Sequence, residues 1–235
     1  MLLKYKDSVV LVGGGPLDAD VFTLVRDRAG FFVAADSGAD ALLARGVIPD
    51  AVIGDMDSLS KAGRAAVPQD RLVVVDEQDS TDFEKAAQRI EAPLIYALGF
   101  TGARLDHELA ALHVLVRYAN QPIVMVGEVD VTVHLPARIE LDLPKGLRVS
   151  LFPFAAVRVG MEGLRWSFEA IDLHPMHRIG TSNEVSGNEV SGNDVSGGRV
   201  LLTSDCPGAV LILPREALGA VIKGLACADL HSPQG

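Results

Sequence analysis

The first half of the chain alternates short apolar runs with stretches of helical character. The apolar runs cover residues 8–12, 31–35, 51–53, 71–75, 93–98 and 123–126. Such runs, bounded by turn residues and separated by helices, are typical of a parallel sheet with helices packed on it. We therefore predict an α/β domain over residues 1–127. It would be Rossmann-like, with a mostly parallel sheet and helices on both faces.

The pattern of secondary structure changes after Gly127, where short strand-like runs follow one another without long helices. These runs cover residues 129–134, 139–143, 147–152, 157–159, 163–166, 199–203 and 209–213. Successive short strands separated by turns favour an all-β sandwich. We predict this second domain over residues 128–214, followed by a C-terminal tail, 215–235, that is helical over about 216–226.

Charge and composition exclude several classes of protein. The 235 residues carry a formal net charge of −10, without a basic cluster, so the chain would repel nucleic acid and anionic membranes. No apolar run approaches the ~18 residues of a membrane span, and the N-terminus lacks a signal-peptide pattern. Cys206 and Cys227 are too few for a disulfide framework or a zinc site. These features predict a cytoplasmic, reduced protein with no nucleic acid or membrane partner.

Carboxylates follow three of the predicted strands. Asp36 follows the run 31–35, Asp55 and Asp57 follow the run 51–53, and Asp82 opens a helix after the run 71–75. In extended backbone, Asp55 and Asp57 would project to one side and repel each other unless a cation lay between them. Mg²⁺ takes such oxygen ligands. Two alternatives stay open, because Gly, Asp and Ser are turn residues and Asp36 could cap a helix over 39–45.

Two further stretches could meet a phosphate. The glycines at 13–15 follow the first strand, but no complete G-x-G-x-x-G or P-loop pattern occurs, so a plain tight turn is equally compatible. Arg104 lies beside Gly102 at the start of a predicted helix, where a guanidinium could fork onto oxyanions. We expect that helix to reach about Ala119, with Leu105, Leu109, Leu112 and Val116 as its buried stripe.

Several alternatives around the predicted helices also remain open. Asp106 in a first helical turn could simply favour the helix dipole, and His107 could be a solvated helix-start residue. Thr81 and Glu84 fit a capping box without any chemical role.

A pentapeptide occurs three times from Asn183 to Gly197, with the pattern Asn-Glu/Asp-Val-Ser-Gly. Its period is too short for a solenoid unit, so we interpret it as a loop grown by local duplication. A metal-binding role for its acids is the less favoured reading.

Taken together, five stretches resemble the motifs of the thiamine pyrophosphokinase family, in the family's order. They are Ala-Asp-Ser-Gly-Ala from Ala35, Gly-Asp-Met-Asp-Ser from Gly54, Thr-Asp-Phe-Glu-Lys-Ala from Thr81, Gly-Ala-Arg-Leu-Asp-His from Gly102 and Gly-Thr-Ser-Asn-Glu from Gly180. Each is weak alone, but five in order are specific. The resemblance implies an α/β catalytic domain followed by a β-sandwich. It also implies transfer of diphosphate from ATP to thiamine, a Mg²⁺ requirement, and a homodimer with its active site at the subunit interface.

The resemblance also implies roles for individual residues. The implied metal ligands are Asp55, Asp57 and Asp82; the implied catalytic residues are these three and Asp106; the implied ATP-binding residues are Asp36, Thr81, Arg104 and His107; and the implied thiamine-binding residues are Ser182, Asn183 and Ser204. Asp82, or else Asp106, could accept the proton of the substrate hydroxyl.

The chain departs from the family pattern at a few positions. Met56, Ser37 and Ala103 are conservative changes, whereas Val210 stands where some animal members carry a tryptophan against thiamine. Trp166 could stack on a cationic substrate, but we expect it to pack in the β-domain core. Two other functions are compatible with the sequence. One is diphosphate transfer to another small alcohol, such as a hydroxymethyl pterin. The other is a non-catalytic nucleotide- or Mg²⁺-binding protein.

Overall fold

The computed structural model describes residues 1–187 and 197–231. The chain forms two compact units: unit 1 comprises Met1–Val114 and Ile123–Glu128, and unit 2 comprises Leu115–Pro122 and Val129–Gly235. Within the described residues, none of the helices combines the length and the apolar character needed to cross a membrane.

Unit 1 is built on a parallel sheet. Its strands are β1 (Leu3–Lys4), β2 (Val9–Val12), β3 (Phe31–Ala35), β4 (Ala51–Gly54), β5 (Leu72–Val74), β6 (Ile90–Glu91), β7 (Ile95–Leu98) and β8 (Ile123–Val126). Its helices are α1 (Ala19–Arg26), α2 (Gly38–Leu43), α3 (Lys61–Ala66), α4 (Asp82–Ala87) and α5 (Leu105–Arg117), the last of which ends in a segment that belongs to unit 2. Six strands pair in parallel in the order β5-β4-β3-β2-β7-β8, and β1 pairs with β6.

The sheet of unit 1 follows from the apolar runs of the sequence. Every residue of β2, β4, β7 and β8 is buried, as expected for strands covered on both faces. The predicted parallel α/β arrangement is therefore confirmed. The carboxyl ends of these strands lie at one edge of the sheet, because the strands run in the same direction.

The buried face of α5 differs from the predicted one. The predicted stripe began with Leu105 and Leu109, but these side chains are 72% and 50% exposed. The helix instead buries Ala111, Val114 and Leu115. Several large apolar residues on one helix allow more than one stripe at helical spacing, and packing against neighbouring elements selects between them.

Unit 2 is antiparallel. Its strands are β9 (Asp130–His134), β10 (Arg138–Leu143), β11 (Arg148–Pro153), β12 (Val157–Glu162), β13 (Phe168–Leu173), β14 (Gly180–Glu184), β15 (Gly198–Ser204) and β16 (Ala209–Pro214), and its helix is α6 (Leu218–Leu225). One sheet has the order β10-β15-β12-β13, and the remaining strands are adjacent in the order β14-β11-β16-β9. Alternate residues of β10 are buried, as expected for a strand with one face in a core.

Three strand assignments in unit 2 differ from expectation: the predicted run 163–166 is not a strand, and no predicted run covers β13 or β14. Residues 163–166 contain only an isolated bridge at Leu164, and the strand begins later, at Phe168. Trp166 is 51% exposed, with the Arg165 guanidinium over its ring, so the expectation that it packs in the core is wrong. β13 was missed because its first three residues are exposed, which leaves no clear alternation to read.

The pentapeptide repeat is described only in its first copy. Val185 of that copy is buried and forms a bridge with Leu164. Residues 188–196, which carry almost all of the second and third copies, lie outside the described residues.

Two histidines are buried together in unit 2. His134 on β9 is 6% exposed and His231 is 8% exposed, with ring centroids 5.3 Å apart. Neither nitrogen of His134 has a hydrogen-bond partner among the described residues. Burial, and then the proximity of His231, lowers the pKa of His134 to about 3. Both rings are therefore neutral in the folded protein at neutral pH.

Acid should destabilise unit 2 through His134. The unfolded chain takes up a proton near pH 6.5 that the folded ring resists to about pH 3, so stability falls as the pH drops below 6.5. The cost at pH 5 is about 2 kcal/mol. We expect the His134→Phe variant to lose that part of the pH dependence in urea unfolding between pH 7.5 and pH 5. Parallel pH profiles for the two proteins would contradict this assignment.

Candidate functional site

A cleft of about 550 Å³ opens at the carboxyl ends of the strands of unit 1. All the residues that line it belong to unit 1. They include Gly13, Gly14, Gly15, Ser37, Asp55, Asp57, Ser58, Gln78, Thr81, Asp82, Lys85, Gly99, Phe100, Thr101, Arg104 and His107. The cleft therefore brings together residues from five strand ends that are far apart in sequence.

Three aspartates converge in an acidic cluster made of Asp36, Asp55 and Asp57. Each offers a carboxylate oxygen, and these oxygens lie within 4.8 Å of one another. Asp36 is 1% exposed, and neither of its carboxylate oxygens has a hydrogen-bond partner among the described residues. The alternative that Asp36 caps α2 is excluded, since Ser37 is the N-cap residue of that helix. A buried carboxylate without a partner is costly, so a positively charged group beside Asp36 would lower the free energy of the site.

The backbone between Asp55 and Asp57 is not extended, contrary to the prediction from the sequence. Met56, between Asp55 and Asp57, has a φ of 66°, so the segment turns rather than continuing as extended chain. Asp36 also has a positive φ, of 43°. Such conformations cost free energy in residues other than glycine and persist where the surrounding structure holds them. Both left-handed residues lie in the acidic cluster or next to it.

Lys85 lies in the cleft beside the acidic cluster, and it was assigned no role from the sequence. Its side chain is 3% exposed, and its ammonium lies 3.1 Å from Asp55 Oδ2 and 3.3 Å from Asp82 Oδ1. Gln78 Nε2 also donates to Asp55 Oδ2, at 3.2 Å. Lys85 falls one helical turn after Asp82, and this i,i+3 spacing is the signal that could have revealed the pair.

Asp55 and Asp36 have opposite electrostatic surroundings. The hydrogen bond from Lys85, and then one from the backbone N–H of Asp57, lowers the pKa of Asp55. Burial, together with the adjacent Asp55 and the charges of Asp82 and Asp57, raises the pKa of Asp36 to about 6. Burial also raises the pKa of Asp82, although Lys85 opposes it. Negative charge is therefore best stabilised at Asp55 and least stabilised at Asp36.

The glycine loop at 13–15 packs tightly against Gly99. The N–H of Gly13 donates to Leu98 O at 2.8 Å, and the N–H of Gly15 donates to Gly99 O at 2.9 Å. A Cβ at Gly15 would come within 2.6 Å of Gly99 O. Two of the three N–H groups are thus satisfied by the protein itself. The loop resembles a close-packed turn more than an open phosphate cradle.

The motif around Arg104 lies at the exposed rim of the cleft. The Arg104 guanidinium is bonded to both carboxylate oxygens of Asp106, at 3.1 and 2.6 Å. Asp106 also accepts the backbone N–H of His107 at 3.0 Å and is not among the cleft-lining residues. Thr81 accepts the N–H of Glu84 at 3.2 Å, which confirms the predicted cap of α4.

The three residues expected near thiamine lie in unit 2 and are engaged with backbone groups. Asn183 accepts N–H groups from Trp166 and Glu184 and donates to Trp166 O. Ser204 Oγ donates to Cys206 O at 2.7 Å. Ser182 is exposed, has a φ of 62°, and donates its N–H to Ser150 Oγ. None of the three is among the residues lining the cleft of unit 1.

Comparisons with known proteins agree on one family. A model of the family "Thiamin pyrophosphokinase, catalytic domain" matches residues 22–126. Thiamine pyrophosphokinase 1 of Oryza sativa subsp. japonica is 28% identical over 197 residues, covering 69% of this chain and 74% of that protein. Thiamine pyrophosphokinase of Bacillus subtilis (strain 168) is 26% identical over 165 residues, covering 63% and 74%.

A solved structure of thiamine pyrophosphokinase from Bacillus subtilis shares the fold. It aligns with a TM-score of 0.69 and 21% identity, covering 88% of this chain and 98% of that one.

Neutralising Asp36 should stabilise the metal-free protein. An amide in place of this carboxylate removes a buried charge that faces other carboxylates, and it can donate to Asp55. We expect Asp36→Asn to raise the free energy of unfolding by about 1–3 kcal/mol at pH 8 in the presence of a chelator. The measurement is urea unfolding followed by circular dichroism.

Asp70→Asn is the matched control, because Asp70 is an exposed aspartate of the same unit. Its unfolding midpoint should stay at the wild-type value. A loss of stability in Asp36→Asn would show that the carboxylate is not under repulsion.

Proposed function

We propose that the chain, which is similar to the thiamine pyrophosphokinase family, transfers the terminal diphosphate of ATP to the hydroxyl of thiamine and releases AMP. The observation that carries this proposal is the acidic cluster, set beside Lys85 in a cleft at the carboxyl ends of parallel strands. Diphosphate transfer needs positioning and charge neutralisation more than covalent chemistry from the protein. This arrangement of charges suits those needs.

The donor set fits Mg²⁺. It consists of carboxylate oxygens, which hard divalent cations prefer, and the two oxygens of Asp36 have no partner in the protein. We propose that Asp36, Asp55 and Asp57 hold the ion, and that Asp82, which Lys85 links to Asp55, contacts it through water. A bound Mg²⁺ would neutralise charge on the phosphate oxygens of ATP.

The cleft is proposed as the ATP site, and unit 1 as a Rossmann-like unit. The strand order β5-β4-β3-β2-β7-β8 changes direction between β2 and β7, and ligands of open α/β sheets bind at such a switch point. The loops that follow these two strands, at Gly13 and Gly99, both line the cleft. Thr81, Arg104 and His107 line it as well, where they could meet phosphate or ribose.

Asp82 is the better placed of the two candidate general bases. It lines the cleft, and its side chain is 39% exposed, which leaves room for a substrate hydroxyl. Its raised pKa makes it a stronger proton acceptor than an ordinary aspartate. Asp106 is held by Arg104 at the rim, which lowers its pKa and makes it a weaker base. We propose that Asp82 accepts the proton and that Asp106 orients Arg104 towards the phosphates.

Thiamine recognition is proposed for unit 2, with Ser182, Asn183 and Ser204 as its residues. Ser182 is exposed and is the most accessible of the three. The exposed ring of Trp166, which Asn183 holds through two hydrogen bonds to its backbone, offers an apolar face for a cationic ring. We further infer that unit 2 is a β-sandwich.

Thiamine is favoured over the alternative acceptors. The match to a catalytic-domain family and to thiamine pyrophosphokinases argues against both a pterin alcohol and a protein without turnover. Incubation with MgATP and thiamine, with AMP and thiamine diphosphate measured by chromatography, tests the proposal. AMP formed only with a hydroxymethyl pterin, or no AMP with either acceptor, would contradict it.

Asp55 should be indispensable for turnover. We expect Asp55→Asn to lower kcat/KM by about a thousandfold or more, because the best-stabilised negative charge of the metal site is lost. Circular dichroism should show a folded protein. Asp76→Asn, at an exposed aspartate of the same unit, is the control and should keep wild-type activity. Near-normal turnover in Asp55→Asn would contradict the metal assignment.

We also propose that the chain forms a homodimer. Unit 2 exposes Trp166, Phe168, Met176 and Ile179, which are 40–79% accessible to solvent. Exposed apolar side chains grouped in one segment are typical of surfaces that meet a partner. Sedimentation equilibrium should give twice the chain mass of 24.9 kDa. Phe168→Glu should shift this mass towards the monomer, whereas Ile48→Glu, in unit 1, should not; a monomeric wild-type protein would contradict the proposal.

A further inference from the structure

Among the described residues, Lys85 is the one buried cation in contact with the acidic cluster. The proposed reaction does not use it to bind a substrate or to move a proton. Its ammonium is 3% exposed and bonds Asp55 and Asp82, whose carboxylates come from the end of β4 and the start of α4. It therefore crosslinks two segments that are 27 residues apart in sequence. Burial lowers the pKa of Lys85, but the bonds to Asp55 and Asp82 outweigh this, so the ammonium stays charged.

The position of Lys85 separates it from lysines that grip a phosphate. Such lysines extend a mobile ammonium into the binding site, whereas Lys85 is almost fully enclosed and both its acidic partners are protein groups. Its charge acts on Asp55 Oδ2, while Oδ1 of the same carboxylate accepts the N–H of Asp57. Asp55 is thus fixed in orientation from both oxygens.

We propose that Lys85 is a positioning residue that serves as the resident counter-cation of the metal site. It holds the carboxylates in place when no divalent ion is bound, and by its charge it keeps the affinity for a free divalent ion modest. This inference rests on the proposed metal site. The consequence is that the enzyme would acquire its ion together with ATP, whose phosphates add the negative charge that Lys85 has offset.

The charge balance gives the direction of the effect. Asp36, Asp55, Asp57 and Asp82 carry four negative charges when ionised, and Lys85 cancels one of them. A divalent ion on Asp55 would lie within roughly 6 Å of the ammonium, where like charges repel substantially even at protein surfaces. Removing the ammonium should therefore tighten divalent binding. A residue with a purely structural role would weaken it when replaced.

The experiment compares Lys85→Met with the wild-type protein in the absence of nucleotide. Mn²⁺ is the probe, and its free concentration is measured by electron paramagnetic resonance. We expect the dissociation constant for Mn²⁺ to fall about tenfold in Lys85→Met. We also expect Lys85→Met to unfold at a lower temperature than wild type in chelator and to recover most of that loss in Mg²⁺.

Two variants serve as controls. Lys85→Arg keeps the charge and should retain the wild-type affinity for Mn²⁺ within about threefold. Lys61→Met removes a positive charge from the exposed surface of α3 in the same unit and should leave the affinity unchanged.

Unchanged or weaker Mn²⁺ binding by a folded Lys85→Met protein would overturn the inference while leaving the metal site intact. Failure of every variant and of the wild type to bind Mn²⁺ would overturn the metal site and the inference together. The reaction itself is tested separately, by AMP formation from MgATP and thiamine with the wild-type protein.

Discussion

The repulsion among carboxylates at the strand ends is the constraint around which unit 1 is arranged. Three aspartates converge in one cluster, and Lys85 links Asp82 to it. Asp36 is almost fully buried there without a hydrogen-bond partner among the described residues. Parallel strands cause this convergence, because they deliver their carboxyl ends to the same edge. A structure that gathers so much negative charge has to supply positive charge. The protein provides part of it through Lys85, and the proposed Mg²⁺ would provide the rest.

Backbone geometry shows that the convergence is imposed on the chain rather than preferred by it. Asp36 and Met56 adopt left-handed conformations that residues with a side chain avoid. A Cβ at Gly54 would lie 3.0 Å from the Cβ of Asp36, so a glycine is what allows β3 and β4 to bring their aspartates together. The buried apolar strands behind the site hold this strain in place. The packing of these strands therefore stabilises the strained backbone that fixes the positions of the aspartates.

The sequence was sufficient where a single physical rule governed the outcome. Apolar runs located the strands of the parallel sheet, and the side chain of Thr81 capped α4 as its position indicated. The sequence was insufficient where several physical rules competed.

The buried face of α5 was misjudged because Leu105 and Leu109 have helical spacing but lie in the exposed first turns. β13 was missed because exposed residues lack the alternation that marks a half-buried strand. For the site, the sequence located the aspartates but not the turn at Met56 or the buried partner Lys85, since both depend on tertiary contacts.

The motif residues separate into two physical groups, according to whether the protein satisfies their polar atoms. Asn183 accepts two N–H groups and donates one, so its amide has at most one N–H left for a ligand. The hydroxyl of Ser204 likewise already donates its proton to Cys206 O. Asp36 is the opposite case, because its two oxygens are buried and unpartnered. A residue whose hydrogen bonds are complete mainly shapes the fold around a site, whereas one whose bonds are missing depends on what binds there. By this criterion Asp36 in unit 1 is the motif residue that most requires a ligand, and in our proposal the motif of unit 2 meets thiamine chiefly through Ser182 and the exposed ring of Trp166.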